Sequence, residues 1–326
     1  MNNDTGSRVA FAVLAFARPV GLIECINSLR TFAVDIPIVV NIDFYIGESK
    51  DLITANLETI DAAKRLLSDG AIHSLFVSDS NLRTKRAWLW AMQNTFEKFE
   101  NVVYFEDDLR VVSNVEPYIS EILNMRENSS IGSIGTLFTS RLHKSYSRGV
   151  RLTKWPEFWG VVLDKTIFNQ IEEFFTFDSL QFTHRVEVGL NSWVQENLGM
   201  APASLRRRFV KIWNWKFKKA YTSEYAWDTM LHAFTWCNSI DIYGPTKELV
   251  IDTGIDFTSV SMQKKKIAVK YCKGSIPFDN GDRLNTCSYC HLYKVTQILI
   301  SSLSNKHILR VRGWLKVLAG GLKLQK

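Results

Sequence analysis

Val9-Ala-Phe-Ala-Val-Leu-Ala-Phe16 is an unbroken apolar run of eight residues. A strand wetted on one face would alternate apolar and polar residues, so a continuous run of this length suits a parallel strand covered on both faces. Pro19 then stands where a helix opens, and Leu22, Ile23, Ile26 and Leu29 recur at helical spacing. The same rhythm repeats outward from this start. Ile36 to Ile42 reads as a second strand ending at Asp43, Leu52 to Leu67 as a helix and Ile72 to Val77 as a third strand. Thr84 to Phe99 reads as a third helix, and Asn101 to Phe105 as a fourth strand that runs directly into Glu106-Asp107-Asp108. Four strand–helix alternations predict an α/β protein with a doubly wound, mostly parallel sheet.

Beyond residue 130 the rhythm loosens. Ile131 to Leu137 and Phe158 to Leu163 read as strands, and Lys165 to Phe175 as a helix. Residues 178–225 read as irregular. Tyr225 to Trp236 is expected to be helical, followed by a short strand at Ile240 to Tyr243 and a loop over Asp252 to Asp256. A soft boundary falls near residue 260, where Lys and Cys become frequent.

The chain has 326 residues, 46% hydrophobic and 22% charged, which excludes a disordered or fibrous protein. Its net charge of +7 is local. Residues 201–220 carry seven cations and no acid, and residues 305–326 carry six and no acid, so the remainder is mildly acidic. Such patches suit an anionic membrane surface or single-stranded nucleic acid, of which the membrane is favoured. In the C-terminal patch, Ile308, Val311, Leu315 and Leu318 share one helical face. Five cysteines (Cys25, Cys237, Cys272, Cys287, Cys290) cannot all pair, and no secretory leader or spanning segment of ~20 apolar residues is recognised. A reducing, cytoplasmic setting at the inner face of a membrane is expected. Cys272, Cys287, Cys290 and His291 have incomplete zinc-site spacing, and ordinary thiols are the simpler reading.

Glu106, Asp107 and Asp108 stand at the carboxyl end of a buried strand, where open α/β sheets bind ligands. Carboxylates there, without matching Lys or His, suit Mg²⁺ or Mn²⁺, which take one or two protein carboxylates and fill the rest with water and substrate phosphate. Taken alone, the triplet is also compatible with a turn and a cap before a helix at Val115 to Met125.

The surrounding pattern is more specific. Val13-Leu-Ala-Phe-Ala-Arg-Pro19, then Leu22-Ile-Glu-Cys-Ile-Asn-Ser-Leu29, resembles the opening of GT-A fold, nucleotide-sugar-dependent glycosyltransferases. Val103-Tyr-Phe-Glu-Asp-Asp-Leu109 is similar to the Glu-Asp-Asp form of their metal motif. Trp155-Pro-Glu-Phe-Trp-Gly-Val-Val-Leu163 resembles their acceptor-side strand, and Trp227-Asp-Thr-Met230 their base-bearing segment. The nearest resemblance is to the inverting N-acetylglucosaminyltransferases of the Golgi, with related domains in bacterial polysaccharide and lipopolysaccharide pathways.

That resemblance implies a metal-dependent inverting transferase that moves a hexosyl or N-acetylhexosaminyl group from a UDP-sugar to a glycan or lipid-linked glycan. Within residues 1–260, the donor half would be about 1–135 and the acceptor half about 136–260; residues 261–326 have no counterpart in that family, and their own basic patch suggests a small helical extension able to associate with a membrane. Arg18 would reach the diphosphate, Asp43 the uracil, and Glu106 and Asp107 donor hydroxyls. Asp108 would hold the Mn²⁺ or Mg²⁺. Arg86 would face the donor, with Lys85 as its alternate. Asp228 would be the general base, and Trp159 and Trp227 would stand on the acceptor side. Two other classes remain open on the residues alone. One is a sugar-nucleotide nucleotidyltransferase, disfavoured because only Gly21 stands where a Gly-rich phosphate loop is expected. The other is a non-enzymatic basic protein that binds membranes or nucleic acid.

Overall fold

A computed structural model of the chain describes residues 9–127, 133–137, 150–152, 158–199, 201–247 and 249–253. The boundary near 260, the four-residue Cys/His group and the C-terminal basic patch lie outside the described residues.

Residues 9–106 fold as their periodicity predicts. Strands β1 (Val9–Ala15), β2 (Ile38–Ile42), β3 (Ser74–Val77) and β4 (Asn101–Glu106) alternate with helices α1 (Pro19–Phe32), α2 (Lys50–Ser68) and α3 (Arg83–Phe96). The later elements are β5 (Leu109–Val111), α4 (Glu116–Glu127), β6 (Ser133–Thr136), β7 (Val150–Leu152), β8 (Val161–Asp164), α5 (Lys165–Thr176), α6 (Ser179–Leu198), α7 (Ala203–Thr222), α8 (Trp227–Cys237), β9 (Asp241–Pro245) and β10 (Val250–Asp252).

Eight strands form one sheet in the order β3-β2-β1-β4-β8-β6-β9-β7. The pairs β1–β2, β1–β4, β2–β3 and β6–β9 are parallel, whereas β8 runs antiparallel to β4 and β6, and β7 antiparallel to β9. The sheet is thus α/β and mostly parallel, with helices on both faces. Along β1 the side chains divide accordingly. Phe11, Val13 and Ala15 join the core made with α1, α2 and α4, while Ala12 and Leu14 join the core made with α3, α5, α6 and α8. No described helix is long and apolar enough to cross a membrane.

The order has a functional consequence. From β1 the chain passes to β2 on one side and, after β3, returns to β4 on the other. The crevice between the carboxyl ends of β1 and β4 is therefore a topological switch point, where ligands bind in open α/β sheets. Residue pairs Ala15–Ile42 and Leu14–Glu106 bring the ends of β1, β2 and β4 to one level.

Residues 178–225, expected to be irregular, are instead two helices of 20 residues each. Asp178 caps α6 by accepting from the amides of Leu180 and Gln181, both at 2.8 Å. Phe182, Val186, Leu190, Trp193 and Val194 turn one face of α6 inward. In α7 the inward residues are Phe209, Trp213, Phe217 and Ala220, spaced by four, four and three. The density of cations on the other side of α7 hides that period from a reading of composition.

α6 and α8 approach so closely that a Cβ on Gly189 would lie within 2.7 Å of the Cβ and carbonyl oxygen of Cys237. Two short pairings are not legible in the sequence. β10 pairs antiparallel with β5, returning the chain to the acidic turn, and β7 closes the sheet edge on β9.

Candidate active site

Arg18, just beyond β1, extends its guanidinium across the switch point between two consecutive carboxylates. Nη2 lies 2.6 Å from Asp107 Oδ1, and Nη1 donates to Asp108 Oδ2 at 2.6 Å. Asp107 is almost fully buried, at 1% side-chain exposure, whereas Asp108 at 16% and Arg18 at 26% reach the surface of the crevice. Burial by itself would lower the pKa of Arg18, but the charges of Asp107 and Asp108 outweigh it and hold the group protonated.

Asp107 accepts a second bond from the Phe16 amide at 3.2 Å, and its own amide donates to the Leu14 carbonyl at 3.1 Å. Burial pushes its carboxyl up to about 6, against the opposing charge of Arg18. Glu106 points to the other face of the sheet, as strand alternation requires. There it accepts from Trp227 Nε1 at 3.1 Å and lies 3.3 Å from the Tyr104 hydroxyl. Burial first, then the charge of Asp108, pushes Glu106 up to about 8.

The turn that carries the acids is braced from both sides. Arg110 donates to the Asp107 carbonyl at 3.0 Å and pairs with Glu24 of α1 at 2.7 Å. The amide and hydroxyl of Thr253, each at 2.8 Å, donate to the Asp108 carbonyl. Gly21 lets the first turn of α1 close on this backbone, because a Cβ there would sit 3.0 Å from the Asp107 carbonyl oxygen.

Asp43, at the end of β2, is buried. Its carboxylate accepts from the amides of Leu82 (2.7 Å) and Arg83 (3.2 Å) and from the Ser78 hydroxyl at 3.3 Å. It thereby holds the entry to α3, and burial raises its carboxyl despite these donors. Arg83 has a left-handed backbone with φ 64°, a conformation seldom adopted by a side-chain-bearing residue and one concentrated at functional sites. Asn56 of α2 ties the two strand ends together, donating to the carbonyls of Phe16 and Asp43 and accepting from the Tyr45 amide at 3.1 Å. Neither Arg83 nor Asn56 stands out in the sequence, because their roles depend on backbone paths that only the fold supplies.

The other side of the crevice is built by α8. Trp227 is buried, at 5% exposure, and stacks on Trp88 at 5.3 Å and 8° between planes, with the edge of Tyr104 at 5.2 Å. Expected on the acceptor side, it is a core residue that reaches the acidic group through its indole nitrogen. Asp228, the next residue, is exposed in the first turn of α8, where Oδ1 accepts from the Thr229 amide at 2.7 Å.

Lys85 fixes the loop before α8. Its amide donates to the Glu224 carbonyl at 2.8 Å and its ammonium to the Tyr221 carbonyl at 2.7 Å. Arg86 is exposed on α3. Trp159 is partly buried just before β8, packed against the α1/α2 core, with its carbonyl facing Thr136 Oγ1 at 3.4 Å. The crevice therefore brings together Arg18, Glu106, Asp107, Asp108 and the start of α8. Asp43 adjoins it behind the β2 end.

Among the described residues no three His, Cys, Asp or Glu side chains converge to hold a metal. A hard cation held through one carboxylate and substrate phosphates needs no such cluster. The donor set fits that mode, because the charges of three carboxylates act on one guanidinium and Asp108 offers its group at the rim.

No protein-family model matches the chain, and no curated protein matches it in sequence. Among solved structures the chain is similar to S. aureus TarS. One crystal structure of TarS gives a TM-score of 0.31 at 10% identity, covering 42% of this chain and 24% of that one. The structure of TarS residues 1–349 gives 0.42 at 9% identity over 76% and 61% of the two chains. The same segment in complex with UDP gives 0.38 at 9% identity over 72% and 60%. The chain thus spans about a quarter to three fifths of the structures it resembles.

Proposed function

We propose that this chain is a glycosyltransferase that moves a sugar from a nucleotide donor, UDP-linked, to a hydroxyl of a glycan or lipid-linked glycan with inversion. The observation that carries the reading is the pairing of Arg18 with Asp107 and Asp108 at the switch point between β1 and β4. A cation and carboxylates at this edge suit a diphosphate together with its counter-ion, and a switch point of an open α/β sheet is where such a ligand is expected, which supports the reading.

Asp108 is the residue to hold Mn²⁺ or Mg²⁺, which when bound would neutralise charge on the departing diphosphate. Arg18 supplies a second positive group against the same oxygens. Asp107, buried beneath, keeps Arg18 aimed across the crevice. Glu106, held by Trp227, lines the sugar end. Asp43 sets the α3 entry that closes the base end, and Arg86 on α3 is the donor-facing cation.

Asp228 accepts the proton of the acceptor hydroxyl as the new bond to the anomeric carbon forms. The bond from that carbon to the phosphate oxygen breaks, and the diphosphate leaves with the electron pair. What supports this role is the exposure of Asp228 beside Trp227, whose indole already touches Glu106. Trp159 would contribute to the acceptor side.

Transfer and hydrolysis assays with a panel of UDP- and GDP-sugars test the reading. Asp228→Asn should lower turnover by at least a hundredfold while leaving UDP affinity within about threefold, since general-base assistance is worth about 10² to 10⁴. Full turnover in that variant removes Asp228 from the mechanism.

A further inference from the structure

α7 is packed into the core on one side and strongly cationic on the other, and the crevice chemistry makes no use of it. Its inward residues are fixed, with Trp213 4.7 Å from Trp236, Phe217 5.6 Å from Trp236 and Phe209 5.9 Å from Trp193. Its outward residues Arg207, Lys211, Trp215 and Lys218 follow at intervals of four, four and three, and all four are exposed. At about 100° per residue they fall within about 80° of the helix circumference and extend along roughly 16 Å of its axis.

Trp215 is 62% exposed, far more than a large aromatic ring ordinarily remains. The Lys219 ammonium lies 5.3 Å from its centroid. The helix holds seven cations and no acid, and Arg207, Lys211 and Lys218 have no ion-pair partner among the described residues. A single exposed indole ringed by unpaired cations costs solubility and contributes nothing to the core, so it asks for a complementary surface.

We infer that the outward stripe of α7 docks the protein on an anionic lipid surface, with Arg207, Lys211, Lys218 and Lys219 against headgroups and Trp215 as the interfacial anchor. Lysine and arginine near an anionic leaflet attract it, and tryptophan prefers the headgroup level. Single-stranded nucleic acid fits less well. Such binders present successive rings for stacking, whereas here Phe209, Trp213 and Phe217 are turned into the core. Because its inner face is committed, α7 would bind as a rigid rail and would not fold on contact.

The test is co-sedimentation of the full-length chain with vesicles of phosphatidylglycerol and phosphatidylcholine, against vesicles of phosphatidylcholine alone and against a single-stranded RNA. The wild-type chain should bind the anionic vesicles, bind the neutral ones at least tenfold more weakly, and lose binding as salt is raised. Arg207→Gln, Lys211→Gln and Lys218→Gln combined should weaken anionic-vesicle binding on the order of a hundredfold, at roughly a factor of five per charge. Trp215→Ala should weaken it several-fold. Both variants should keep the wild-type melting temperature within about 2 °C, since the replaced groups are exposed. Unchanged vesicle binding in the triple variant overturns the inference, as does equal binding to neutral vesicles. A triple variant that loses only RNA binding also overturns it and assigns the stripe to nucleic acid.

Discussion

Replacing Arg18 by methionine keeps much of the side chain's length and apolar stem but deletes the guanidinium that faces Asp107 and Asp108, each at 2.6 Å. Asp107 is 1% exposed, so its charge would lose its ionic partner without gaining water. Removing one member of a buried pair costs about 3–5 kcal/mol. Arg18 is itself 26% exposed, so solvent already screens part of the interaction and the lower end, about 3 kcal/mol, is expected.

For a domain of this size that corresponds to a fall in Tm of about 6–12 °C. Urea unfolding of the wild type, Arg18→Met, Asp107→Asn and the double variant gives the cycle that isolates the pair. The double variant should be more stable than Arg18→Met, because the stranded charge has gone, with a coupling above about 1.5 kcal/mol. A Tm for Arg18→Met within about 2 °C of wild type, or a coupling near zero, refutes the view that Arg18 is the counter-ion organising the crevice.

Other outcomes follow from the same packing and chemistry. Gly189→Ala would normally gain up to about 1 kcal/mol within a helix, but the added Cβ meets Cys237 backbone, so urea unfolding should show a loss of about 1–3 kcal/mol. Asn56→Ala removes three bonds between the β1 and β2 ends and should cost about 2–4 kcal/mol by the same method, with a parallel loss of UDP affinity in calorimetry. Burial pushes the thiols of Cys25 and Cys237 up to about 12, and the thiolate is the reactive form. Mass-mapped iodoacetamide labelling of the native chain at about pH 8 should therefore leave both unmodified for hours, then modify them in denaturant. Trp227→Phe should keep the stack on Trp88 but lose the bond to Glu106, reducing turnover about tenfold or more with less than about 1.5 kcal/mol of stability change.

Much of the fold is legible in the sequence where burial on both faces forces an unbroken apolar run, as in Val9 to Phe16, and where Pro19 marks a helix start. The acidic triplet is legible for the same reason, because three acids closing a buried strand set charge at the sheet edge where polar ligands bind. The α6–α7 hairpin is not. Its inward residues are interleaved with cations and polar groups, and its period appears only when Phe209, Trp213 and Phe217 are read as one face. The aromatic–cationic interleaving that suggests a surface is two faces of one helix, with Trp215 left outside while Trp213 turns in.

Within the crevice, Asp228 and Trp227 stand out by pattern, but the burial of Trp227 comes from Trp88 on a helix over a hundred residues earlier. Contributions of Asn56 on α2, Arg110 on β5 and Thr253 after β10 depend on long-range contacts with the strand ends and the acidic turn. No local spacing encodes those contacts.

The most direct test of the central claim is a crystal structure of the protein with UDP and Mn²⁺, with the metal located by its anomalous signal. One peak is expected at the carboxylate of Asp108, with the pyrophosphate beside Arg18 in the crevice between β1 and β4. A nucleotide bound elsewhere, or Asp108 still bridged to Arg18 with the nucleotide absent at saturating concentration, would contradict it.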